Sequence, residues 1–251
     1  MADLRLVAVV FAFLPLLALP AYWARPYRTQ TWALLAGVLA FLGLSHAMAK
    51  VLLGQGWASI VFGEAAAIAA AAAGLVLGVG IGWALLVRHR PGASWPSTVA
   101  LGATAFLAVH SLGDGLVLGE GLAAGPTAVP ITGLAVAATV VHRFLEGALV
   151  VVPGGDAGWR LRRLSFAVLA GALTLPAAGL AWLAYDALVV GEAFAAVLAG
   201  STVLAGIEAG LAFVLLAVAF LPRAVSTHRM DWVGWAALGF VGIVLVHMLV
   251  E

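Results

Sequence analysis

Apolar residues fall along the chain in runs of about 20, the length that carries a helix across a hydrocarbon core, with short polar breaks between them. Set against those breaks, the runs predict helices over residues 5–24, 31–53, 64–87, 97–119, 127–152, 163–185, 194–221 and 231–250. The breaks hold turn-forming pairs, among them Arg25 and Pro26, Pro91 and Gly92, Gly125 and Pro126, Pro153 and Gly154, and Leu221 and Pro222. Nothing is left over for a soluble domain. Residues 1–251 are therefore expected to form a single transmembrane domain, an all-α bundle of eight helices.

Charge then orients the bundle. Arg25 and Arg28, Arg88 and Arg90, Arg160 with Arg162 and Arg163, and Arg223 with Arg229 fall in alternate breaks; the others hold Gln55, Glu120, Asp186 and Glu192 and no Lys or Arg. Loops rich in Lys and Arg stay in the cytoplasm, which places four basic loops inside and both termini in the periplasm or extracellular space. The first run, with Arg5 before it and small residues near Pro20 and Ala21, also fits a secretory signal, but its continuation through Trp23 to a basic break favours a retained span. Gly74, Gly78 and Gly82, and Gly206 and Gly210, recur at four-residue spacing and predict close helix packing, within the chain in preference to across a homodimer. Trp23, Trp32, Trp83, Trp95, Trp159 and Trp232 lie near span ends, as an interfacial aromatic belt would.

Composition narrows the function classes. The chain is 65% hydrophobic and 9% charged, with a mean hydropathy of +1.15, whereas soluble domains are roughly a quarter charged. The lipid bilayer is the expected solvent and a multi-pass place in the cell (inner or plasma) membrane the expected location. A net charge of +1, with no basic cluster larger than Arg160, Arg162 and Arg163, offers no footprint for nucleic acid. The absence of cysteine removes disulfides, thiolate metal sites and thiol catalysis together, so metal chemistry falls to His, Asp and Glu. No GxxxxGK[ST] loop occurs, so nucleotide hydrolysis within this chain drives nothing.

Against this apolar background the ionisable residues inside spans stand out, because each costs at least about 2.5 kcal/mol near mid-membrane. The fourth run places His110 four residues before Asp114, followed by Gly115; the fifth places His142 four before Glu146, followed by Gly147. Residues four apart share a helix face, so each span offers an imidazole and a carboxylate on one stripe. Two facing stripes would make a cage of two imidazoles and two carboxylates. That donor set suits zinc, iron(II), manganese or cobalt better than magnesium or calcium. One such pair alone would more often be an internal hydrogen bond, but two in consecutive spans point to a metal or ion site.

The two motifs resemble the metal-binding fourth and fifth helices of the ZIP family of divalent-metal transporters, which carry His-Ser/Asn-x-x-Glu/Asp-Gly and His-x-x-x-Glu-Gly patterns. Gly37 followed by Ser45 and His46 in the second span, and the glycine-rich last span, are similar to that family as well. So is the topology of eight spans with outer termini. The resemblance implies transport of divalent transition-metal ions into the cytoplasm, zinc first and iron, manganese or cobalt as alternatives. His110, Asp114, His142 and Glu146 would hold the ion. Some members hold a second ion through the residues after each His and an acid on the sixth helix. Here those positions read Ser111 and Arg143, and the sixth run has Pro176 but no acid, which speaks against a second ion. The break after the third span, long and His-rich in many members, is short and holds only His89.

Arg143 is charged at any workable pH and needs a buried carboxylate, with Glu146, Asp114 and Glu208 as candidates; it would then stand as a built-in cation in place of a second metal. Glu208, at the middle of the seventh span, is expected either to pair with Arg143 or to line an ion pathway, and His46 to lie on that pathway. Lys50 is expected to snorkel to the outer surface and Glu64 to sit at a helix N-terminus. His247 and Glu251 are expected to fray at the chain end rather than to form a mouth site. The expected mechanism is alternating access about a midplane site. The competing class is an intramembrane metal-dependent hydrolase, in which the same ligands would activate water. No HExxH motif and no spare carboxylate beside the cage support it.

Overall fold

The computed structural model describes residues 10–23, 28–86, 94–123, 133–188, 193–226 and 231–249, and nearly all of them are helical. We number the helices α1 (Val10–Trp23), α2 (Thr29–Phe62), α3 (Glu64–Leu86), α4 (Trp95–Ala123), α5 (Gly133–Asp156), α6 (Leu161–Ala172), α7 (Thr174–Leu188), α8 (residues 193–225) and α9 (Asp231–Met248). With α6 and α7 taken as one bent rod, seven helical runs among the described residues are long and apolar enough to cross a membrane, and α1 is a shorter apolar helix. Among the described residues, each sequence run from residue 31 onward overlaps one of these seven. Arg5, Arg25 and Pro26, Arg88 through Gly92 with His89, Gly125 and Pro126, Glu192, Arg229 and Glu251 lie outside the described residues.

Local chemistry explains where the helices differ from the predicted runs. Gln55, assigned above to a loop, lies on α2, which continues to Phe62. The neighbouring Gly54 packs closely on α8, where a Cβ would collide with the Thr202 hydroxyl. The chain turns only at Gly63, whose φ of +86° suits glycine alone, and α3 starts at once with Glu64 in its first turn. The sixth run breaks at Leu173 because Pro176 has no N–H for the preceding turn. There the Thr174 hydroxyl donates to the Ala108 carbonyl of α4 at 2.8 Å. From Leu14 to Trp23, a stretch holding Pro15 and Pro20, α1 winds in tighter i to i+3 turns.

The helices sort into two groups by how closely their backbones approach. In one, α3 packs along α8 and α2 along both α8 and α9; in the other, α4 packs along α7 and α5, and α5 along α1. Glycines make the tight contacts inside each group. A Cβ on Gly74 or Gly78 would strike the α8 backbone, and one on Gly206 or Gly210 the α3 backbone, so these predicted glycine faces meet each other within the chain. Gly239 of α9 lies on Leu34 of α2, Gly115 on Leu175 of α7, and Gly147 on Pro15 of α1 in the same manner. Between the groups, Gly102 of α4 meets only the side chains of Leu215 and Leu86, and Gly113 only that of Leu204.

Arg160, Arg162, Arg163 and Arg223 lie near one end of the bundle. Trp32 near the start of α2 donates to Asp156 at the end of α5 at 3.0 Å, and its ring meets that of Phe220 of α8 at a tilt, with centroids 4.9 Å apart. Trp159, over which the Arg163 guanidinium lies, donates to Ser97 at the start of α4 at 2.6 Å. Trp32 and Trp159 are therefore buried tethers and not members of an aromatic belt, whereas Trp23 and Trp83 are exposed as a belt requires. An indole N–H that would be costly to bury alone has found an acceptor in each case.

Candidate metal centre

Helices α4 and α5 lie side by side in one group, and their four-residue stripes face each other. One donor atom from each of His110, Asp114, His142 and Glu146 lies within 4.8 Å of the rest. His110 Nε2 is 2.9 Å from Glu146 Oε1 and 3.6 Å from Asp114 Oδ2, and His142 Nε2 is 2.6 Å from Glu146 Oε1. The two imidazoles are almost parallel, with centroids 5.8 Å apart. Asp114 is the most open of the four, with 21% of its side chain accessible against 0% for Glu146.

The donor chemistry fits a divalent ion. His110 Nε2, His142 Nδ1 and Glu146 Oε1 are buried with no hydrogen bond, a condition that costs about 1–3 kcal/mol per polar atom. A cation among them would satisfy His110 Nε2 and Glu146 Oε1 directly. Donors around a tetrahedral zinc at about 2.0 Å stand roughly 3.3 Å apart, so around an ion the 2.6 and 2.9 Å contacts to Glu146 Oε1 would lengthen and the 3.6 Å contact of His110 to Asp114 would shorten.

Arg143 is 5% exposed and its guanidinium forks across the two carboxylates, Nη1 donating to Glu146 Oε2 and Nη2 to Asp114 Oδ2, both at 2.8 Å. This takes Glu146 Oε2 and leaves Oε1 to the cage, whereas on Asp114 it takes Oδ2, the oxygen that also faces His110, and leaves Oδ1. Of the three candidate partners for Arg143, Asp114 and Glu146 are engaged and Glu208 is not. The pairing of Glu208 with Arg143 is thus corrected: Glu208 Oε1 lies 2.8 Å from His110 Nδ1, and the residue is 1% exposed. The geometric reason is that Glu208 sits on α8, across the boundary between the helix groups, on the far side of the His110 ring from the cage.

Two further expectations are overturned. Lys50 does not extend to the outer surface alone; its Nζ is 3.5 Å from Asp114 Oδ1, so an ion pair between two partly buried side chains turns it toward the bundle. His247 does not fray away. Its ring lies 4.1 Å, centroid to centroid, from that of His46 and 5.5 Å from that of His142. His46 is buried, as a pathway residue would be, within a wide-turned stretch of α2 from Ala40 to Ala47, with its ring 6.0 Å from that of His110. Ser111 is fully buried and its hydroxyl has no hydrogen-bond partner.

Periodicity carried signals for both missed residues. Lys50 follows His46 by four positions and shares its helix face, and His247 continues the buried row of Gly239 and Ile243 at the same spacing. The neighbourhood of the cage thus holds the carboxylates of Asp114, Glu146 and Glu208 and the cations Arg143 and Lys50, a formal charge of −1 with neutral imidazoles. No protein-family model matches the chain, and no curated protein matches it in sequence, so the centre is read from its own geometry.

Proposed function

We propose that this chain carries divalent transition-metal ions across a membrane, zinc first among them, with iron, manganese and cobalt as alternative cargo, and that His110, Asp114, His142 and Glu146 bind the ion in transit. The observation that carries the reading is the convergence of four metal-type donors from two adjacent membrane-length helices, with buried donor atoms that have no hydrogen bond. Alternating access is the mechanism this arrangement favours. The ligands belong to one helix group, while His46, Lys50, Glu208 and His247 close on them from the other. The backbone-tight glycine contacts stay inside the groups, so the boundary through the site is the surface on which sliding disturbs least packing.

We propose with it the finer assignments: eight spans, both termini outside, basic loops in the cytoplasm, the inner or plasma membrane, and kinship with the ZIP transporters. The gathering of Arg160, Arg162, Arg163 and Arg223 near one end of the bundle supports the orientation. The hydrolase reading needs a carboxylate free to take a proton from water. Asp114, Glu146 and Glu208 are each held by another side chain, which disfavours it.

The test is uptake by proteoliposomes holding the purified chain, with zinc as cargo, the other three metals as competitors, and with or without a pH gradient. Accumulation above empty vesicles, reduced by the competing ions, is expected. No accumulation of any of the four metals under either condition would overturn the proposal.

A further inference from the structure

His110 has carboxylates on both sides, and only one contact is a hydrogen bond. On the cage side, Nε2 lies 2.9 Å from Glu146 Oε1 and 3.6 Å from Asp114 Oδ2, yet neither approach has hydrogen-bond geometry. On the other side, Nδ1 meets Glu208 Oε1 at 2.8 Å in a fully buried hydrogen bond that joins α4 to α8. With Glu208 as an ionised carboxylate, which only accepts, the proton of this bond resides on Nδ1. A neutral imidazole with its proton there has its lone pair on Nε2, directed toward the cage. The Phe106 ring lies parallel to the imidazole, 8° from coplanar at 5.8 Å, and limits its rotation.

We propose that Glu208 is the positioning residue of the metal centre: by accepting the Nδ1 proton of His110 it selects the tautomer whose Nε2 can bind an ion. Without Glu208 the nearest acceptors would be Glu146 and Asp114, the imidazole proton would move to Nε2, and His110 would point a proton where the ion has to sit. The inference rests on the metal reading of the cage for its purpose. The tautomer itself is a property of the metal-free protein. It also explains a buried carboxylate inside an apolar helix, which costs several kcal/mol unless something holds it.

The experiment uses the full chain purified in detergent, labelled with ¹⁵N-histidine, as wild type, Glu208→Ala and Glu208→Gln, with His110→Asn to assign the resonance. Cobalt(II) is the probe ion because its visible bands report its ligands. The wild type is expected to carry the His110 proton on Nδ1. In Glu208→Ala it should move to Nε2, with cobalt affinity lower by about 10–100-fold and altered bands. Glu208→Gln keeps an oxygen that can accept the same bond, so it should retain the Nδ1 tautomer and bind within a few-fold of wild type. A wild-type His110 protonated on Nε2 overturns the proposal even if the alanine variant fails to fold. So does a Glu208→Ala protein with wild-type tautomer and affinity, or a Glu208→Gln protein as weak as the alanine variant, which would assign the effect to charge. If wild type binds no cobalt at all, the metal reading of the cage fails, and the tautomer measured without metal still decides the role of Glu208.

Discussion

Replacing Arg143 with methionine keeps much of the unbranched apolar stem but removes the guanidinium, and with it the charge that neutralises two metal-type ligands. In the native arrangement its guanidinium makes two 2.8 Å charge-assisted hydrogen bonds, to Glu146, which is fully buried, and to Asp114, which is 21% accessible. Hydrogen bonds to charged groups contribute about 1.5–3 kcal/mol each, and leaving a buried ion without its partner costs about 3–5 kcal/mol. Lys50, 3.5 Å from Asp114 Oδ1, offsets part of the loss at Asp114 but none at Glu146. The lower part of the range applies, and the metal-free Arg143→Met protein should be less stable than wild type by about 3 kcal/mol. A divalent ion in the cage supplies positive charge to the same carboxylates, so the loss should shrink when metal is bound. Unfolding of both proteins in detergent, with and without saturating zinc, measures this directly. Zinc should raise the stability of the variant more than that of wild type. Equal stability without metal, or the same difference with and without it, would refute the charge-balance argument. Arg143→Lys should fall between the two, since an ammonium lacks the planar fork that spans both carboxylates.

Asp114→Asn and Glu146→Gln should each abolish zinc uptake in proteoliposomes while leaving expression nearly intact, because an amide does not replace an anionic ligand; wild-type rates in both would remove these residues from the site. Arg143→Asp should bind a second ion per chain where wild type binds one, read by elemental analysis of the purified proteins, and two tightly held ions in wild type would contradict the built-in cation. Gly78→Val should lose folded protein on heating in detergent far more than Gly80→Val, because a Cβ at Gly78 meets the Ile207 carbonyl of α8 and one at Gly80 meets nothing. Trp32→Phe should lower stability by about 0.5–1.5 kcal/mol through loss of the indole hydrogen bond to Asp156, as followed by the same melts; an unchanged melt would refute the tether.

The residues whose contacts depart from the sequence expectations share one cause. On its own helix a lysine near a span end, Lys50, or a histidine close to the chain end, His247, has an ordinary explanation, and for the mid-span acid Glu208 the sequence offers Arg143 as a partner without a way to test the pairing. Their roles come from contacts with distant segments: Lys50 with Asp114, Glu208 with His110, and His247 with His46 and His142. Trp32 and Trp159 failed for the same reason, since depth along a helix does not say whether a side chain faces lipid or a neighbour.

What the sequence determined by itself is what depends on one dimension. Run length against hydrocarbon thickness defined the helices, and four-residue spacing put His110 with Asp114 and His142 with Glu146 on single faces, because helix geometry converts spacing into direction without reference to any other segment. The glycine rows announced close packing because only a missing Cβ lets backbones approach that far. The tertiary structure alone decided which stripes face each other, that Arg143 spans Asp114 and Glu146 and not Glu208, and that Glu208 stands behind His110 from the other helix group. Ion pairing inside an apolar bundle is settled by distances of about 3 Å between segments far apart in the chain. The helix rotations and crossing points that set those distances are products of the whole packing, and no local pattern encodes them.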